Sequence, residues 1–180
     1  VFCSSSPLTP ELRELARTLG VALGQAGDEV VYGGTMTGLM AELARGARDG
    51  GARVVGVVPR ALSSLDSVDR DADELVEVET LGERKVAMLA DTGRVVVLAG
   101  GLGTLDELLE VLTMRQLGLL PADLDVVVLD PTGHWDLLRE QFALLVDREA
   151  ARAAAVRVRW VRDVARVLRE PDRPPVTPTE

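Results

Sequence analysis

Apolar residues follow two alternating rhythms along this chain. Short unbroken runs, Val1–Cys3, Glu29–Tyr32, Arg53–Val58, Arg94–Ala99, Asp125–Leu129 and Val156–Trp160, predict strands, with Leu75–Val78 a shorter seventh. Their continuous Val and Leu character implies burial on both faces, as in a parallel sheet. Between them the apolar positions take a helical period, and several helix starts are visible. Thr9-Pro10-Glu11 opens one helix, Thr80-x-x-Glu83 a second and Thr104-x-x-Glu107 a third, while Gly27 and Gly50-Gly51 supply stops. Further helices are expected over about Gly38–Asp49, Trp135–Val146 and Arg162–Arg169. The alternation predicts an open, doubly wound α/β sandwich on a mostly parallel central sheet of about seven strands, with ligands outside the carboxyl ends of the strands. Residues 1–169 form the expected single domain. Ser63–Asp73 reads as a polar surface excursion that could close over a site, and the Pro-rich 170–180 as a disordered tail.

Composition narrows the chemistry. The chain has 180 residues, the size of one ordinary domain. No run approaches the ~20 apolar residues of a membrane helix, and the first residues read as a buried strand rather than a signal peptide, so a soluble cytoplasmic protein is expected. The one cysteine, Cys3, excludes an internal disulfide and a multi-thiolate zinc site; the one histidine, His134, disfavours a histidine-cluster metal site or a Ser-His-Asp triad. With 20 basic against 29 acidic residues, net −9, and 3% aromatics, there is no electrostatic footprint or stacking platform for nucleic acid. A small anion remains open, because its site depends on local cations and helix N-termini.

Three strand-to-helix turns could carry chemistry. Cys3-Ser4-Ser5-Ser6-Pro7 offers hydroxyls and N–H groups, Ser5 among them, but lacks the Gly-x-Gly-x-x-Gly of dinucleotide-binding folds. Gly33-Gly34-Thr35-Met36-Thr37-Gly38 and Gly100-Gly101-Leu102-Gly103-Thr104 each follow a strand and open a helix. Both suit phosphate, since glycines let the backbone approach a ligand and the helix end adds partial positive charge; both also suit tight turns and nothing more. Glu107 has two readings as well: the reciprocal partner in a capping box begun at Thr104, or a carboxylate beside a bound phosphate. Arg84-Lys85 place cations in the first turn of a helix, the unfavourable end of its dipole, which points to recruitment for an anion over a solvated surface pair. Lys85 is the only lysine, so a pyridoxal Schiff base would have to use it. His134 reads as a loop or helix-entry residue, Cys3 as a buried small residue, and Met88 and Met114 as core or pocket lining.

Ala99-Gly-Gly-Leu-Gly-Thr-Leu-Asp-Glu107 resembles the Pro-Gly-Gly-x-Gly-Thr-x-x-Glu motif of the LONELY GUY family, the cytokinin riboside 5′-monophosphate phosphoribohydrolases, also labelled possible lysine decarboxylases. The likeness extends to Val1-Phe-Cys-Ser-Ser-Ser6, Val31-Tyr-Gly-Gly-Thr-Met-Thr-Gly-Leu-Met40, Gly56-Val-Val-Pro59, Glu83-Arg-Lys85, Glu107-Leu-Leu-Glu-Val-Leu-Thr113 and Gln116-Leu-Gly118. It implies a homodimeric, Rossmann-like hydrolase, working without metal or organic cofactor. Such an enzyme splits the N-glycosidic bond of cytokinin riboside 5′-monophosphates, and of AMP as a further candidate, into free base and ribose 5-phosphate. By position, Arg84 and Glu107 would be the catalytic pair and Gly100, Gly101, Gly103 and Thr104 the phosphate cradle. Lys85, Asp106 and Thr113 would lie in or near the substrate site, and Asp66 falls where the family places a substrate-contacting glutamate.

Four departures stand out: Ala99 for the motif's proline, Ala41 for the glycine usual after Gly-Leu-Met, Ser4 for a common glycine, and Leu81-Gly82 where Met-His often precedes Arg-Lys. None removes a reacting group. Two other functions compete: a Rossmann-like module that binds a nucleotide or molybdenum cofactor without cleaving it, and a lysine decarboxylase built on Lys85.

Overall fold

The computed structural model describes residues 1–63, 67–121 and 123–169. Asp66 and the tail 170–180 therefore lie outside the described residues. In chain order the elements are α1 (Pro10–Gln25), β1 (Val30–Tyr32), α2 (Gly38–Asp49), β2 (Val54–Pro59), a short 3-10 turn (Arg60–Leu62), β3 (Glu74–Val78), α3 (Leu81–Leu89), β4 (Arg94–Val97), α4 (Leu102–Gln116), β5 (Asp125–Leu129), α5 (Asp136–Asp147), β6 (Arg159–Val161) and α6 (Val164–Leu168).

The alternation of strand and helix is as expected and every strand pair is parallel, with Val30 opposite Val54, Val55 opposite Glu74, Arg94 opposite Asp125 and Val127 opposite Arg159 at the starts of the four ladders. The expected sheet of about seven strands is not formed. The strands make two three-stranded sheets, β1-β2-β3 and β4-β5-β6. Residues 1–3, read as a strand, form one isolated bridge, Phe2 with Val97. The segment still touches both sheets. Phe2 N donates to Val96 O at 2.9 Å and Phe2 O accepts from Leu98 N at 2.9 Å, whereas toward β1 it makes a bond from Val1 N to Val31 O at 2.6 Å. One pair on one side and one bond on the other give no continuous ladder.

Strand side chains alternate between two cores, as the pleat requires. Val96, Val127 and Leu129 join one core with residues of α1, α2 and α6; Val95, Val97, Val126 and Val128 join the other with Met88 of α3, Leu108 of α4 and Phe142 of α5. Helices thus cover both faces. Two element ends differ from the sequence reading for visible reasons. β6 begins at Arg159, not Val156, because the Arg157 carbonyl accepts from Arg115 Nη1 at 2.7 Å. α6 begins at Val164, since Asp163 caps it by accepting from Arg166 N at 2.9 Å.

The Ser63–Asp73 excursion is only partly a surface feature. Val68 bridges Thr35, Asp69 N donates to Gly34 O at 2.9 Å, and the fully buried Asp69 carboxylate accepts from Tyr32 Oη at 2.6 Å and Arg48 Nη1 at 2.8 Å. Burial, and then Asp69, push the Tyr32 phenol well above the ordinary tyrosine value. This network clamps the excursion to the glycine loop that follows β1.

α1 and α2 cross at glycines. A methyl on Gly20 would lie 2.3 Å from Leu43 O, and one on Gly46 would lie 2.1 Å from Arg17 O, so the backbones touch where a side chain would otherwise separate them. Gly46→Ala is therefore expected to lower stability by about 1–2 kcal/mol, overpacking exceeding the ~1 kcal/mol gain in helix propensity. Gly82→Ala, whose methyl meets only Thr80 Oγ1 at 3.8 Å, should be neutral or slightly stabilising. Urea denaturation of both variants checks the contrast.

Candidate active site

At the carboxyl ends of the strands a cleft of about 350 Å³ opens between the loops that follow residues 1–3, β1, β2 and β4. Arg84, in the first turn of α3, reaches across it. Its Nε donates to Val57 O at 3.0 Å, Nη2 to Gly33 O at 3.1 Å, and Nη1 lies 3.5 Å from Glu107 Oε1 on α4. The pair is largely removed from water, with side-chain exposures of 16% for Arg84 and 6% for Glu107. Burial raises the Glu107 pKa above the ordinary carboxylate value, and the Arg84 charge partly opposes that rise.

The capping-box reading of Glu107 gives way to this pairing. α4 begins at Leu102 with Gly101 as its cap, so Thr104 sits inside the helix, and the carboxylate turns to Arg84. Thr104 instead packs beneath Gly100, where a methyl would meet its Oγ1 at 2.1 Å. Gly101 and Gly103 have open space where a Cβ would project, and both line the cleft. The first-turn N–H groups of α4 have no acceptor within the helix and carry its positive partial charge, which suits an anion.

The other two turns contribute differently. Ser5, Gly33 and Thr35 line the cleft, but the Ser4 carbonyl accepts from Leu39 N at 2.9 Å and Met40 N at 3.3 Å, which occupies the start of α2. Gly33 gives Arg84 room, since a methyl there would lie 2.2 Å from Nη2. Gly34, at φ +74°, takes a backbone conformation that glycine adopts without strain and abuts Val58.

Of the residues expected at the site, the cleft gathers Ser5, Gly33, Arg84, Gly101, Gly103, Thr104 and Glu107. Gly34 and Gly100 do not line it but abut Val58 and Thr104, which do. Lys85 does not line it; its Nζ lies 3.0 Å from Asp106 and 3.3 Å from Glu110. Burial lowers the Lys85 pKa, but the two carboxylates outweigh it and hold the ammonium above the usual lysine value, protonated at neutral pH. Asp106 is largely exposed beside it. Thr113, nearly two turns beyond Glu107, lines a separate groove with Leu112 and Phe142.

Three participants escaped the sequence reading. Cys3 lines the cleft although its thiol, buried and pushed up to about 12, stays protonated. Met40 borders Gly33. His134, read as a loop or helix-entry residue, contacts Gly100. A larger cavity of about 440 Å³ lies at the amino ends of the strands, around Glu29, Met88 and Arg94, away from the Arg84–Glu107 pair. Among the described residues no cluster of three or more His, Cys, Asp or Glu side chains is arranged to hold a metal ion. No helix among them is long and apolar enough to cross a membrane.

Parallel sheets between helical layers, with a cleft at the strand ends, define a Rossmann-like α/β protein. Residues 40–170 match the family model described as "Possible lysine decarboxylase". The cytokinin riboside 5′-monophosphate phosphoribohydrolase of Mycobacterium marinum is 44% identical over 147 residues, 82% of this chain and 78% of its own length. Its counterpart in Mycobacterium tuberculosis is 41% identical over the same shares, 82% and 78%. The chain belongs to this family, the LONELY GUY phosphoribohydrolases. The molybdenum cofactor binding protein of Rippkaea orientalis superposes with a TM-score of 0.66 at 22% identity, covering 89% of this chain and 85% of that one, a likeness of fold alone.

The two opposing influences on Glu107 give a signed expectation. Arg84→Met removes the largest of the charges that lower its pKa, so the Glu107 midpoint should rise further above 4.5, as read by 13C carboxyl titration. A folded value above the unfolded one means that the protonated carboxyl favours the fold. That contribution is complete below the unfolded pKa and lost as pH rises through the folded one, over a wider window in the variant.

Proposed function

We propose that this chain hydrolyses the N-glycosidic bond of nucleoside 5′-monophosphates, with cytokinin riboside 5′-monophosphates and AMP as substrates. The observation that carries the reading is the buried Glu107 carboxylate, held 3.5 Å from Arg84 in the cleft that Gly101, Gly103 and Thr104 border. A 5′-phosphate on the first-turn N–H groups of α4 meets the positive end of that helix. Glu107 lies one turn, about 5.4 Å, further along the same face. That distance is on the scale of a ribose between its phosphate and its anomeric carbon. The names of the curated relatives support the same chemistry.

In the reaction the C1′–N bond breaks with its electron pair going to the base, which takes up a proton. Positive charge develops on the ribosyl ring, and the carboxylate stabilises it. Water adds at C1′ and loses a proton, leaving ribose 5-phosphate. Arg84 keeps Glu107 oriented, and its charge opposes the rise in pKa that burial causes. Lys85, protonated between Asp106 and Glu110, lacks the free amine that a Schiff base requires.

The reading extends to one domain over 1–169, working in the cytoplasm without metal or organic cofactor on a small nucleotide, with no nucleic-acid partner. We include a homodimer, supported by the exposed Val86, Leu102 and Leu109 on α3 and α4, the helices that carry Arg84 and Glu107. Sedimentation velocity is expected to give twice the chain mass of 19.3 kDa, and a monomer overturns the dimer.

Chromatography after incubation with AMP or isopentenyladenosine monophosphate is expected to show free base and ribose 5-phosphate. Glu107→Gln should remain folded with kcat at least about 100-fold lower. Nucleotide recovered intact after long incubation would point to a binding module, and unchanged turnover in Glu107→Gln would remove the carboxylate from the mechanism.

A further inference from the structure

The loop after β5 is fastened to the loop after β4, and the fastening ends on the glycine that begins the cradle. Asp130, the residue following β5, organises its own loop. Its Oδ1 accepts from Thr132 N at 3.2 Å, Thr132 Oγ1 at 3.1 Å and His134 N at 3.0 Å, and its Oδ2 accepts from Trp135 N at 2.8 Å. Two ring nitrogens are thereby aimed at alternate carbonyls of the opposite loop. Trp135 Nε1 donates to Leu98 O at 3.1 Å, and His134 Nε2 lies 2.8 Å from Gly100 O. The imidazole also meets the Trp135 ring edge-on, with centroids 4.5 Å apart and planes at 89°.

The Gly100 N–H also points to the same ring nitrogen as a donor, but at 3.4 Å, so the carbonyl at 2.8 Å is the closer and governing partner. An oxygen at 2.8 Å requires a hydrogen on Nε2, which selects the Nε2–H tautomer. The contact fixes more than one atom. A peptide unit is planar, and no peptide bond among the described residues is cis, so the Gly100 carbonyl and the Gly101 N–H point in opposite directions. Turning the carbonyl toward His134 turns the Gly101 N–H away from His134, and Gly101 lines the cleft whereas His134 does not. With glycine on both sides, this peptide has little steric resistance to flipping.

We propose that His134 is a positioning residue for the anion site: by donating from Nε2 to Gly100 O it locks the Gly100–Gly101 peptide with the Gly101 N–H presented to the phosphate of the substrate. The proposal rests on the phosphate reading given above and adds to it the group that holds one donor in place. Free of His134, the peptide samples both orientations, and only one of them presents the donor. The affinity for phosphate then falls by the fraction lost.

The test uses the full chain and two substitutions. His134→Phe keeps a ring against Trp135 but has no donor, whereas His134→Gln returns an N–H to the same reach. Inorganic phosphate and ribose 5-phosphate are titrated by 15N–1H shifts of the glycine amides, and kcat and KM are measured with AMP. His134→Phe is expected to weaken phosphate binding and raise KM about five- to tenfold, with kcat within about twofold, and His134→Gln to recover most of the loss. Phosphate binding unchanged in His134→Phe overturns the proposal, as does a fall in kcat and melting temperature without a change in phosphate affinity. Imidazole 15N shifts of the unmodified protein give a check that needs no variant: the Nε2–H form supports the proposal and the Nδ1–H form overturns it. If the unmodified protein fails to bind phosphate, this proposal and the cradle fall together. If it binds phosphate under His134 control but releases no base, the proposal stands and the hydrolase reading falls.

Discussion

A guanidinium withdrawn from water must have its N–H groups answered by oxygen, because an unpaired charge in a poorly solvated site is among the costliest features a fold can carry. Arg84 meets that requirement with oxygens from three separate elements: Val57 on β2, Gly33 after β1 and Glu107 on α4. β1 and β2 belong to one sheet, whereas α4 follows β4 of the other. The side chain therefore spans the junction between the sheets and sets the position of the cleft. It also dictates Gly33, where any Cβ would collide with the guanidinium. The carboxylate that completes the set is buried by the same packing, so the cation that needs it is also the group that opposes its protonation.

The two glycine-rich helix starts look alike in sequence and are used in opposite ways. At α2 the Ser4 carbonyl takes the N–H groups of Leu39 and Met40, and Gly34 and Gly38 allow the close approach of neighbouring backbone and side chains. Behind that loop, Tyr32, Arg48 and Asp69 form a closed polar network with its own charge balance. At α4 the cap is a glycine with no side-chain bond, and Gly101 and Gly103 face open space. One helix end is answered inside the protein and the other is turned toward the cleft. The strand-end position of both was readable in the chain; which of them stays open depends on a carbonyl more than thirty residues away.

What could be read from the sequence follows the range of the interaction. Asp125–Leu129 and Gly38–Asp49 have their expected limits because local pattern sets them: a fully buried apolar run in the first, helical period ending at Gly50 in the second. Residues 1–3 have the same apolar pattern but form only a bridge, since strand status depends on what a neighbour offers, not on composition. Thr104 and Glu107 show how a spacing rule can carry two meanings. Three residues apart, they fit a capping box, yet a helix begun three residues earlier, with Gly101 as its cap, buries both of them. Arg84 and Glu107 could be selected by residue type, and by resemblance to a known motif, but their contact spans 23 positions. Links such as Tyr32 to Asp69, over 37 positions, and His134 to Gly100, over 34, leave no local signature at all. The one available hint for His134 was topological, because β5 lies beside β4 and the loops at their ends must be neighbours.

A net charge of −9 does not by itself bar a phosphate monoester, because the global sign governs long-range approach more than contact. Over one Debye length, about 8 Å in physiological salt, only nearby charges count. Of the two adjacent cations on α3, Lys85 is neutralised by Asp106 and Glu110, while Arg84 faces a single carboxylate at 3.5 Å and two neutral carbonyls. The acidic excess therefore falls on the flank of the site, and the interior keeps a cation, a helix start and backbone N–H groups. Such an interior suits a small anion that can enter the cleft. The same partition explains why a lone lysine beside the pair gives no amine chemistry: the carboxylates that leave Arg84 to the cleft are the ones that hold Lys85 protonated.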